Sequence, residues 1–137
     1  MIAPRPLSAQ EIPFETMTTL TREMLAEYAR VSRDHNEIHL RDEVAKKAGL
    51  PGVIAHGMLI AGLIVERAQR FLDGYPDWRI AATQFRFKAM SFPGDVIVVG
   101  GKCVPVSDSE FKLELVAQRA TAETTTVASI KVSRLTD

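Results

Sequence analysis

Apolar positions recur with two different periods along this chain. Met24, Leu25, Tyr28 and Ala29 return at helical spacing behind Thr21, whose hydroxyl suits a helix N-cap, and Glu23 stands in the first turn, where the helix dipole favours an acid. The spacing predicts an amphipathic helix from Arg22 to about Val31, ended by the polar run Ser32-Arg33-Asp34-His35-Asn36-Glu37. Asp42 to Ala48 predicts a short second helix, stopped by Gly49 and followed by Pro51-Gly52. Met58 to Val65 is apolar on every side apart from Gly62, and Phe71 and Leu72 carry it on to the break at Asp73-Gly74-Tyr75-Pro76. A helix apolar all round is expected to be buried all round, which calls for a sheet to wrap it.

The period then changes to two. Ala81, Thr83, Phe85 and Phe87 fall on one parity, with Gln84, Arg86 and Lys88 on the other. Pro93-Gly94 turns the chain into the β-branched run after Asp95, up to Val99. Phe111, Leu113, Leu115 and Ala117 alternate with Lys112, Glu114, Val116 and Gln118, and Ala128, Ile130 and Val132 with Ser129, Lys131 and Ser133. Phe14 to Leu20 gives a weaker strand signal. Met1 to Ile12, punctuated by prolines at 4 and 6 with another at 13, is expected to be a loose arm. Helices first and strands afterwards predict an antiparallel α+β fold in a single domain over residues 1–137.

Composition narrows the function. Seventeen Lys+Arg balance seventeen Asp+Glu, which argues against a general nucleic-acid binder. The lone Cys103 excludes an intrachain disulfide framework and a cysteine-rich zinc site. The uncharged stretch from Gly57 to Val65 is too short for a membrane span, and the proline-broken start lacks the apolar region of a signal peptide. A soluble, cytoplasmic protein is expected.

All three histidines, 35, 39 and 56, lie close together in sequence beside Asp34 and Asn36. Histidine titrates near neutrality, and a carboxylate nearby can orient it for proton transfer. Asp34 and His39 are too far apart to meet on a regular helix, so they converge only if the chain between them curls, for which Asp-His-Asn-Glu has the turn chemistry. The alternative is an Asx-type turn with solvated polar side chains. The His-x3-His pair, His35 and His39, with Asp34 could in principle ligate zinc, but the segment lacks a helical pattern to present them, and no metal is expected. His56 by itself reads as a packed, hydrogen-bonded residue. Gly57 opens the apolar helix, where amides lack intrahelical partners, so its N–H could hold a carbonyl oxygen, or glycine could merely ease a crowded helix start.

The set Ser32-Arg33-Asp34-His35-Asn36-Glu37-Ile38-His39, Ala45, Gly49 and Ile54-Ala55-His56-Gly57-Met58 resembles the hydratase motif of the MaoC-like, (R)-specific enoyl-CoA hydratase family. Phe87 and Phe92-Pro93-Gly94-Asp95 resemble that family's second signature, and the likeness runs from about Thr21 to Val99. The resemblance implies a hotdog fold, a long central helix wrapped by a curved antiparallel sheet, and usually a homodimer with acyl-thioester tunnels near the interface. It implies Asp34 and His39 as the catalytic pair, Asn36 as the loop's support, with Ser32 and His56 beside it, and Gly57 as the thioester-binding amide. The reaction it implies is hydration of a trans-2-enoyl thioester, of CoA or of an acyl carrier protein, to the (R)-3-hydroxyacyl thioester, in fatty-acid metabolism and without a cofactor.

Arg86, Lys88 and Lys102 are candidates for the substrate's phosphates, set against the commoner role of charges on a solvated strand face. Two residues depart from the family pattern. Arg33 replaces the usual glycine, which can adopt positive φ where arginine does so only with strain. Glu37 replaces the usual proline and is expected either to raise the proton affinity of Asp34 or His39 or to pair with Arg33. Val65 stands where some active relatives carry a serine. Two rival functions share the fold: an acyl-CoA thioesterase, disfavoured because the central helix has no acid before Glu66, and a non-catalytic acyl-binding subunit.

Overall fold

The computed structural model describes residues 5–135. Its elements are β1 (Gln10–Thr19), α1 (Arg22–Ser32), a 3₁₀ turn (Glu37–His39), α2 (Asp42–Lys47), α3 (Gly57–Leu72), β2 (Trp78–Phe87), β3 (Val96–Ser107), β4 (Glu110–Arg119) and β5 (Thr124–Arg134). The strands form one antiparallel sheet in the order β1-β3-β4-β5-β2. The period-two pattern decides which way each strand faces: Leu113, Leu115, Ile130 and Val132 are buried, while Lys112, Glu114 and Lys131 on the alternate positions are exposed. α3 lies across the buried face and touches all five strands. A sheet curled around one long helix is the expected hotdog arrangement. At the start of α1 the Thr21 hydroxyl accepts from the Met24 N–H at 3.1 Å, satisfying one of the helix's orphan donors.

Three expectations are corrected. The N-terminal arm is loose neither at Gln10–Ile12, which begin β1, nor at Leu7, which is buried, and the Arg5 guanidinium donates to the Tyr75 hydroxyl at 2.9 Å. Residues 1–4 of the expected arm lie outside the described residues. Pro13 breaks the sequence pattern but not the strand, because it occupies a bulge between Ile12 and Glu15 on an edge strand. Phe14, beside it, lies so close over Gly100 that a Cβ there would come within 2.7 Å.

The second correction is β3, which continues well past Val99. Gly100 is needed beneath Phe14, and Pro105 lies beyond the end of β1, where β3 has a neighbour on one side only.

Third, α3 is not buried on every side. Ile60, Ala61, Ile64, Ala68 and Leu72 are buried against the sheet, whereas Gly62, Glu66 and Gln69 are exposed and Met58 is 58% exposed. One chain's sheet covers one side of its helix, and apolar composition does not say what covers the other. The charge at Arg67 is the buried one. Its guanidinium donates to the Pro13 carbonyl at 2.7 Å and pairs with Glu15 at 3.5 Å, fastening the helix to the bulge.

Candidate active site

The segment between α1 and α2 is organised by side chains that cap the backbone two residues ahead. Ser32 Oγ accepts from the Asp34 N–H, Asp34 Oδ1 from the Asn36 N–H, and Asn36 Oδ1 from the Ile38 N–H, each at 3.2 Å. These are the short polar side chains that favour turns over helix. The staircase begins where α1 ends, at Arg33 with φ 63° and ψ 19°, and it delivers the chain into the 3₁₀ turn capped by Asn36. This is the curl that lets residues 34 and 39 meet. The expected Asx turns are the means by which residues 34 and 39 approach, and of the two Asp34 is exposed while His39 is buried.

His39 is buried, and its Nδ1 lies 2.8 Å from the Ile54 carbonyl oxygen. A carbonyl only accepts, so Nδ1 carries a proton, and in the neutral ring Nε2 keeps the lone pair. His56 is buried beside it, with Nε2 donating to the peptide carbonyl of Asp34 at 3.2 Å. The two imidazoles stack with centroids 3.8 Å apart and planes 22° from parallel, and Tyr28 of α1 meets His56 edge-on at 4.8 Å. Burial pushes His56 below its ordinary basicity and His39 adds to this, while donation to the Asp34 backbone and the Asp34 charge oppose it. Donor atoms of Asp34, His39 and His56 all lie within 4.8 Å of one another. Each ring commits one nitrogen to a carbonyl, His39 Nδ1 to that of Ile54 and His56 Nε2 to that of Asp34.

His35, offered by the sequence as His39's companion, is exposed and outside this cluster; the ring that meets His39 is His56. Glu37 pairs with Arg41 one helical turn on, at 3.3 Å, rather than with Arg33. Gly57, next to His56, is the first residue of α3, so its N–H has no carbonyl a turn before it. A Cβ at Gly57 would stand 3.3 Å from the ring of Phe87, which is 49% exposed at the end of β2. Val65 is partly buried on α3.

The Pro93-Gly94-Asp95 turn supports this end of the molecule. The Asp95 carboxylate accepts from the Phe92 N–H at 2.8 Å and from the Arg119 guanidinium at 2.9 Å, while the Ser91 carbonyl accepts from the Ala55 N–H at 2.8 Å. Arg119, Tyr28 and the Ile54 carbonyl were not singled out from the sequence. Tyr28 reads there as an ordinary core position, and the other two act across elements.

Arg86, Lys88 and Lys102 do come together, though not as neighbours, because β4 and β5 separate β2 from β3. All three line one groove of about 690 Å³, together with Phe14, Val116 and Val127. Its lining includes none of Asp34, His39, His56 and Gly57. Arg86 and Lys88 have the strand parity opposite to Phe87, so they leave the sheet on the other face.

The family model described as the MaoC-like domain matches residues 6–127. The chain belongs to the MaoC-like family. Among curated relatives, the fatty acid synthase beta subunit TOXC of Cochliobolus carbonum is 31% identical over 66% of this chain and 4% of its own length. The 3-hydroxyacyl-thioester dehydratase X of Mycobacterium tuberculosis is 39% identical over 44% of this chain and 22% of its own. This MaoC-like chain thus spans only a small part of the curated relatives it matches. Among solved structures, the (R)-hydratase of A. caviae involved in PHA biosynthesis superposes with a TM-score of 0.83 over 95% of this chain and 98% of that one, at 20% identity. A MaoC-like dehydratase matches at 0.79 and 31% identity over 93% of this chain and 40% of its own. The ChsH1-ChsH2 complex of Mycobacterium tuberculosis matches at 0.81 and 15% identity, over 95% of this chain and 99% of that one.

Proposed function

We propose that this MaoC-like chain hydrates trans-2-enoyl thioesters to (R)-3-hydroxyacyl thioesters and catalyses the reverse dehydration. The observation that carries the reading is the convergence of Asp34, His39 and His56, with donor atoms within 4.8 Å of one another, His39 Nδ1 committed to the Ile54 carbonyl and His56 directly preceding the helix start at Gly57. Asp34 and His39 hold one water against C3 of the substrate. His39 Nε2 takes a proton from that water as its oxygen bonds to C3, and the π electrons move onto the thioester oxygen. The Gly57 N–H and the positive end of α3 hold that oxygen while it carries charge. The imidazolium then returns its proton to C2 on the same face, so one water is consumed and the dyad is restored. The thioester itself acidifies C2, and no cofactor enters.

The substrate is an acyl thioester of CoA or of an acyl carrier protein, and the setting is fatty-acid metabolism in the cytoplasm. No helix among the described residues is long and apolar enough to cross a membrane. The working unit is a homodimer joined through the free edge of β2. Phe87 ends that strand at 49% exposure, Met90 follows it at 42%, and Met58, next to the Gly57 that Phe87 crowds, is 58% exposed, apolar surface that a second copy would cover. The other free edge, β1, carries a bulge and the exposed acids Glu11 and Glu15, which discourage pairing.

Loss of enoyl absorbance with crotonyl-CoA and octenoyl-CoA, with chiral analysis of the product and thiol release followed in parallel, tests the reaction. Asp34→Asn and His39→Ala are each expected to lower kcat by about 100-fold or more while the protein stays folded. Thiol release without hydration would make the protein a thioesterase. Binding without turnover would make it an acyl-binding subunit.

A further inference from the structure

His56 takes no part in the proton transfers or in the carbonyl contact, yet it is built into all the parts that do. Its Nε2 donates to the main-chain carbonyl of Asp34, its face lies 3.8 Å from the ring of His39, and Tyr28 packs its edge. Its own backbone is the N-cap of α3, so the following residue is Gly57. A bond to a carbonyl requires a proton on Nε2, and Nδ1 is buried with no hydrogen-bonding partner among the described residues. A second proton would put a charge in that buried place, on a ring stacked against the one that has to take up a proton. The titratable groups facing it are Asp34 from the loop, His39 from the 3₁₀ turn and Tyr28 from α1.

We propose that His56 is a positioning residue: as a neutral imidazole protonated on Nε2 it pins the Asp34 main chain and backs the face of His39, so that carboxylate and base bear on one water. Its π face also meets the cation that forms on His39 in each turnover. The proposal rests on the hydratase reading for its kinetic consequences, but the pinning of the loop stands apart from it.

Three substitutions separate the contacts. His56→Phe keeps a ring without the donor, His56→Gln keeps a donor without the ring, and His56→Leu keeps neither. In folded variants, Phe and Leu are expected to lower kcat by about 10-fold or more with KM little changed, and Gln to retain more kcat than Leu. Wild-type kcat in His56→Leu, or a folded Gln variant no better than Leu, would overturn the proposal. Imidazole ¹⁵N spectra of the wild-type protein at neutral pH are expected to show His56 uncharged and protonated on Nε2. An imidazolium, or a proton on Nδ1, would sink it. If the wild-type protein hydrates no enoyl thioester, the hydratase reading fails, and amide exchange decides the positioning role alone. Exchange at Asn36 and Ile38 is expected to quicken in His56→Leu and stay slow in His56→Gln, and unchanged exchange in the Leu variant overturns the role.

Discussion

Arg33 holds φ 63°, a left-handed conformation that costs an L side chain about 1 kcal/mol and glycine nothing. The residue type that departs from the family pattern thus sits where the backbone asks for glycine. Arg33→Gly is expected to stabilise the fold by about 1 kcal/mol, read as a higher urea midpoint at unchanged slope. Gly57 is crowded instead, since a Cβ there would come within 3.3 Å of the Phe87 ring. Gly57→Ala and Phe87→Ala are therefore expected to couple, the alanine at 57 being cheaper by about 0.5–1 kcal/mol once the ring is gone. Additive effects in the double-mutant cycle would show that the ring is free to yield. At this scale the sequence was informative about types and silent about partners. It pointed to a curl between Asp34 and His39, because short polar side chains cap their own backbone locally, but it left Glu37 open between acting on Asp34 or His39 and pairing with Arg33, and the Arg41 partner depends on which way the curl turns.

Among the elements, β4 was legible almost to its ends and β5 from Ala128 onward, because burial on one face writes itself into every second residue there, whereas Thr125 and Thr126 at the start of β5 are both buried and break the alternation. β1 and β3 were shortened in the reading by Pro13, Gly100 and Pro105. Each marks a bulge, a close crossing or a one-sided edge, features that arise only once strands are paired. Cys103 shows what such an element does to a side chain. On the inner face of β3 it is buried, and desolvation pushes its thiol up to about 11. Because the thiolate is the reactive form, Cys103 is expected to react with a disulfide reagent at pH 8 only as the protein unfolds. Prompt reaction in native buffer would place β3 outside the core.

For the whole molecule, the open side of α3 and the free edge of β2 bear on the oligomer. Sedimentation is expected to give a mass near twice 15.1 kDa, falling to that of one chain in a Met58→Asp, Met90→Asp variant. An unchanged mass in that variant would remove β2 and the helix start from the interface. The sequence by itself determined the helices, the inward faces of the strands and the polar curl after α1, because periodicity, capping and turn chemistry act between residues a few positions apart. Only the tertiary structure decided that His56 and not His35 lies against His39, that Arg119 holds Asp95, and that Arg86, Lys88 and Lys102 line a groove apart from the dyad. Those contacts join segments distant along the chain, and their partners are set by how the sheet curls around one side of α3, which no local pattern encodes.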